Sequence, residues 1–204
     1  MENDEGRRQR IPDDYQFASR WQLHLKGWSL VAIVAGGILV FALSFILGLI
    51  VRVLFRGPWE GAFSISMGDF YFPAMLVGVI VAIMVLHEAV HGVLFLVPGG
   101  KPRFGFKLAG GFFPVAYATS EASIRRNQYL LVALGPFMTL TPVFLVTGIL
   151  ADTDSIVALA LMAMALNASG SLGDLMTAWK VRQLDRRTLL QDTEDGFNWY
   201  LPSS

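Results

Sequence analysis

The sequence has no cysteine, so disulfide bonds, thiolate nucleophiles and cysteine-ligated metals are excluded. It is also short of charge: Asp, Glu, Lys and Arg make up 16% of the 204 residues, against roughly a quarter in a typical soluble domain. Acid and base balance at 16 each, so there is no basic excess to neutralise phosphates and no nucleic-acid partner is expected. Histidine occurs three times, too few for the histidine-rich sites of di-iron membrane hydroxylases and desaturases. No internal repeat is evident, which removes the pattern on which repeat-built transporters rest. The length fits one domain.

Apolar residues are plentiful: 54% are hydrophobic and the mean hydropathy is +0.52, and they gather in long runs. A helix needs about 20 apolar residues to cross a hydrocarbon core of about 30 Å. Four runs qualify, at residues 28–50, 71–97, 129–150 and 155–179. The first and third carry no charge; the second carries Glu88 beside two histidines, and the fourth carries Asp174. Gly135, Pro136 and Pro142 in the third are tolerable in a membrane helix as a kink. Trp28, Trp59, Tyr71, Tyr129 and Trp179 stand at or near run ends, where aromatic belts form, although packing aromatics would look the same. The first run is too long, and its leader too mixed in charge, for a cleaved signal peptide.

Orientation follows from the basic residues outside the runs. With both termini and the loop at residues 98–128 in the cytosol, fourteen Lys and Arg lie inside and two, Arg52 and Arg56, outside, as the positive-inside rule requires. The expected architecture is an all-α membrane protein in the cell membrane. It has a cytosolic N-terminal segment (residues 1–27), a four-span helix bundle (residues 28–179) and a cytosolic C-terminal tail (residues 180–204). Val181 and Leu184 are candidate surface anchors in that tail. In the 98–128 loop, Arg103, Gly105 and Lys107 alternate with Phe104, Phe106 and Leu108 before Gly110-Gly111, and Phe113, Val115 and Tyr117 alternate afterwards. That pattern predicts a β-hairpin on the cytosolic side, with Pro114 confined to an edge or a bulge. It could add an extended peptide to its edge or serve as a membrane-surface clamp.

An ionisable side chain inside a span is costly unless it is paired, hydrated or metal-bound. Four such residues occur: His87, Glu88, His91 and Asp174. The first three form His87-Glu88-Ala89-Val90-His91, an H-E-x-x-H motif in a helical run. Histidines four apart share a helix face and can both reach one Zn²⁺, with the adjacent glutamate placed as general base for water. The alternative is that these groups satisfy one another across helices. Catalytic zinc takes three protein ligands and an open position. His24 lies in a polar segment ahead of the first span, which makes it a poor third ligand, whereas Asp174 is the remaining carboxylate within a span. Helix rise puts His91 about 9 Å and Asp174 about 7–8 Å from the cytosolic ends of their runs, so their depths match. Asn167, Gly170, Ser171 and Asp174 follow i, i+3, i+4, i+7 spacing. Asn167 and Ser171 are therefore candidates for binding substrate or orienting a ligand, and Gly170 and Gly173 for close helix packing.

These residues resemble the site-2 protease group of intramembrane zinc metalloproteases, and more closely a small related family of zincin peptidases. The resemblance covers roughly residues 70–180. It rests on His87-Glu88-x-x-His91, the Gly-Ser-x-Gly-Asp stretch ending at Asp174, and Arg125-Arg126 leading into the run with Gly135-Pro136. It implies zinc bound by two histidines and the later aspartate, a glutamate base, and a site near the cytosolic face acting on membrane-protein or peptide substrates. The aspartate motif differs from the Asn-Pro-x-Asp-Gly and Leu-Asp-Gly forms of better-known members, and no PDZ domain fits in the length. A catalytically inactive metal-binding membrane module that captures peptides is the alternative. A metal transporter fits less well, because the polar residues form one cluster rather than a path.

Overall fold

The computed structural model describes residues 11–23, 27–58, 71–109, 111 and 113–203. His24, Trp59 and the charges from Glu2 to Arg10 lie outside the described residues. Five helices and six strands follow in the order β1 (Tyr15–Gln22), α1 (Gly27–Arg56), α2 (Tyr71–Leu96), β2 (Pro102–Ala109), β3 (Phe113–Ser120), β4 (Ser123–Arg125), α3 (Arg126–Leu150), α4 (Asp154–Gly170), α5 (Leu172–Arg182), β5 (Leu189–Thr193) and β6 (Gly196–Pro202). Three helices, α1, α2 and α3, are long and apolar enough to cross a membrane, and the pair α4 and α5 makes a fourth if counted as one span. The chain divides into two compact units: residues 1–33, 88–135 and 173–204 form the first, and residues 34–87 and 136–172 the second.

The expectation of an all-α protein is corrected by the first unit. Its four-stranded antiparallel sheet has the order β1-β6-β5-β4 and joins the two ends of the chain: Tyr15 pairs with Pro202, and Leu190 with Trp199. The stretch beyond Lys180 is thus built into the unit. Alternation along the strands turns Leu190 and Phe197 inward, where they meet Phe95, Ile124, Tyr129, Val132 and Val181 in one core. Trp21 and Tyr129 each lie 5.5 Å from the Phe197 ring, within the range of favourable aromatic pairs. Tyr129 and Val181 are therefore core residues rather than a belt aromatic and a surface anchor, and Leu184 packs partly buried against the same core.

The hairpin in the 98–128 loop is present, with β2 and β3 antiparallel from Pro102↔Ser120 to Ala109↔Phe113 and Gly111 at positive φ in its turn. Helix α2 stops just before it. Gly99, at φ +84, donates its N–H to Leu96 O, and Gly100 N–H reaches Phe95 O, a glycine-terminated helix end. The hairpin then folds back on α2: a Cβ at Gly92 would lie 2.3 Å from the Phe104 ring.

In the second unit α4 is lined with small residues. Ala158, Ala160, Ala163, Ala165 and Ala168 are buried, the composition that lets membrane helices approach closely. Gly48 on α1 and Gly148 on α3 lie against Leu161 of α4, with no room for a Cβ.

The fourth run is divided between two helices. α4 ends at Gly170 and α5 starts at Leu172, bent by 43°. Ser171 sits between them with both its N–H and its hydroxyl bonded to Asn167 O, the side-chain competition that bends helices. Gly170 is exposed with nothing near its Cβ position, so it belongs to the break and not to close packing. Gly173 has ordinary contact with Leu23.

Candidate metal centre

Helix α2 carries His87 and His91 one turn apart, both buried at 8% exposure. A buried imidazole is committed by whichever partner holds its second nitrogen. For His91, Nδ1 lies 3.0 Å from the Val132 carbonyl of α3; a carbonyl only accepts, so Nδ1 carries the proton. For His87, Nδ1 lies 3.1 Å from Asn167 Oδ1. The amide of Asn167 is oriented by its own bonds, because Nδ2 donates to Pro136 O at 3.1 Å and to Thr141 Oγ1 at 2.9 Å. Its Oδ1 is thereby the acceptor for His87 Nδ1–H. With Nδ1 held in this way, Nε2 is the nitrogen that each ring would offer to a metal.

Asp174 stands in the first turn of α5, with Oδ2 3.4 Å from His91 Nε2. Ligand atoms from His87, His91 and Asp174 all lie within 4.8 Å of one another. Zinc bonds of about 2.1 Å in a tetrahedron put neighbouring ligand atoms roughly 3.4 Å apart, so the aspartate and His91 already have that spacing. Two imidazoles and one carboxylate are a donor set that zinc takes, and the residues present fit it. The far end of α5 is tied down by Arg126, whose side chain donates to Val181 O and Arg182 O. Glu88 is half-buried on α2 next to His87.

The remaining expected residues are Asn167 and Ser171. Asn167 has both amide N–H groups engaged by protein acceptors and its Oδ1 on His87. Ser171 is spent on the end of α4. Two features have no counterpart in a motif: the Val132 carbonyl, and the Tyr129 hydroxyl bonded to Asp192 in the first unit. Pro136 in a long apolar helix is the signal that could have pointed to the first, since proline leaves a carbonyl unbonded one turn earlier.

A family model described as "Putative zincin peptidase" matches residues 80–189, more than half of the chain. The chain belongs to that family. The matched region runs from α2 through the hairpin and α3 to the start of β5, and includes His87, Glu88, His91 and Asp174. Neither the curated proteins nor the solved structures contain a match. Membership indicates a metallopeptidase and implies zinc, in accord with the donor set.

Proposed function

We propose that this zincin is an intramembrane zinc metallopeptidase of the site-2 protease type, hydrolysing peptide bonds of membrane-associated substrates near the cytosolic face. The observation that carries the reading is the convergence of His87, His91 and Asp174 within 4.8 Å in a chain whose α1, α2 and α3 have membrane-spanning length and apolarity. Membrane-crossing helices would present the bonded imidazoles in a medium where isolated polar groups are expensive.

When bound, zinc supplies a Lewis acid for the scissile carbonyl and a lowered pKa for the attacking water. His87, His91 and Asp174 would hold it. Glu88, beside His87 on the same helix, accepts the proton of the attacking water and delivers it to the leaving amine. Among the described residues β2 pairs with β3 alone, and its Phe104 rests on Gly92, the residue after His91. The other edge of β2 is thus placed to hold an extended peptide beside the site. Both termini and the hairpin lie on the cytosolic side in this reading, as the charge distribution requires.

The test is Glu88→Gln in detergent-purified full-length protein. The variant keeps zinc at the parent's stoichiometry and loses cleavage of a membrane-inserted peptide by about 100-fold or more, the share that a general base supplies. Cleavage at the parent's rate refutes the assignment. A parent that holds zinc yet cuts no membrane peptide is a metal-binding module instead.

A further inference from the structure

We infer that Pro136 is a positioning residue that orients both ligating histidines, one through its carbonyl and the other through the N–H that it lacks. The inference deepens the zinc site proposed above and rests on that reading.

In an α-helix the carbonyl of residue 132 would accept from the N–H of residue 136. Residue 136 is proline, which has no N–H and whose ring crowds the carbonyl four residues earlier. The Val132 carbonyl is left without its axial donor, which frees it for a side chain. His91 Nδ1–H fills that place at 3.0 Å. Gly135, the preceding residue, makes the approach possible: a Cβ there would lie 2.0 Å from Leu94 Cδ1 on α2. Glycine and proline thus act in sequence, the first admitting the α2 helix and the second releasing an acceptor to it.

The other face of Pro136 serves His87. Its carbonyl accepts Asn167 Nδ2–H at 3.1 Å, and this bond, with the one to Thr141, turns Asn167 Oδ1 toward His87 Nδ1. One residue therefore sets the tautomer of His91 through a single intermediary group and that of His87 through another. The proline that membrane helices merely tolerate is here the source of the acceptor.

Pro136→Ala tests this, with Pro142→Ala, the second proline of the same helix, as control. Alanine restores the N–H toward Val132 O and keeps the carbonyl at residue 136, so it removes the support of His91 and leaves that of His87. Zinc affinity is measured by competition with a chromophoric chelator, and heat stability on the metal-free protein, both in detergent. The expected result is zinc binding about 10- to 100-fold weaker in Pro136→Ala, the usual loss when the outer partner of a metal-bound histidine is removed. The metal-free melting temperature stays level or rises, because alanine suits a helix interior better than proline, and Pro142→Ala binds like the parent. Parent affinity in Pro136→Ala overturns the inference, as does an equal loss in Pro142→Ala or a loss matched by a fall in metal-free stability. In those cases the zinc site stands. A parent that binds no zinc overturns the site itself and this inference with it.

Discussion

Asp174 Oδ2 lies 3.4 Å from His91 Nε2, although the two residues belong to helices far apart in the chain. The separation is that of two atoms on one edge of a zinc tetrahedron. A carboxylate oxygen and an imidazole nitrogen at that spacing can share a cation between them.

Asp174→Ala removes one of the three proposed ligands and nothing from the core, because its side chain is partly exposed. Zinc affinity should fall by more than about 100-fold, beyond the loss seen for an outer partner, with unchanged helical circular dichroism. Retained stoichiometric zinc at micromolar concentration would remove Asp174 from the ligand set.

The motif on α2 was legible because its information is local: two histidines four apart share a face wherever a helix forms. Asp174 was legible because a lone carboxylate in an apolar run stands out. The bend at Ser171 was not, since i, i+4 spacing continues through residue 171 while the hydroxyl caps Asn167 O. The sheet was missed for a different reason. Strand β1 pairs with β6 from the opposite end of the chain, and Leu190, Phe197 and Trp199 are too few in too short a stretch to announce a buried face before that pairing is known.

Phe197 is fully buried among Trp21, Tyr129 and Trp199. Phe197→Ala should cost about 3–5 kcal/mol, read as an earlier unfolding midpoint in denaturant. It should also weaken zinc binding, because Val132 and Val181 belong to the same core. An ordinary tail position would show neither effect.

Burial pushes the Asp192 carboxyl up to about 7, against hydrogen bonds from Tyr129 and Thr119 that favour its ionised form; the charges of His91 and Asp174 act in opposite directions on it. The folded chain therefore holds this proton more tightly than the unfolded chain does. Stability from this group is complete below about pH 4 and is lost as pH rises toward 7, by an amount on the order of 4 kcal/mol through linkage. Asp192→Asn keeps a neutral acceptor for Tyr129. It should match the parent near pH 4 and exceed it at pH 8, with the gap opening between those values in denaturant titrations. A gap that is constant with pH would place the ionisation elsewhere.

The absence of cysteine makes topology directly measurable, since any single introduced thiol labels without background. Asp152 follows α3 and is exposed beside Arg56, and Ser203 follows β6 near Asp14. In the proposed orientation Asp152→Cys in intact cells reacts with a membrane-impermeant maleimide, whereas Ser203→Cys reacts after permeabilisation. The reverse pattern would invert the protein in the membrane, and labelling of both from outside would mean that α4 and α5 do not carry the chain across it.

Asn167 offers a way to separate orientation of a ligand from support of the fold. Asn167→Ala removes the acceptor of His87 Nδ1–H, so zinc binding should weaken by about 10- to 100-fold. Asn167→Asp keeps an oxygen toward His87 and strengthens it with charge, but it replaces the amide donor that faces Pro136 O and Thr141 Oγ1. An oxygen facing the Pro136 carbonyl without a proton between them is repulsive, and the stranded acceptor alone costs about 1–3 kcal/mol. Asn167→Asp should therefore melt earlier than the parent while holding zinc at least as tightly as Asn167→Ala does. Equal zinc affinity in all three proteins, measured by chelator competition, would confine Asn167 to helix packing and leave His87 to be oriented by another group.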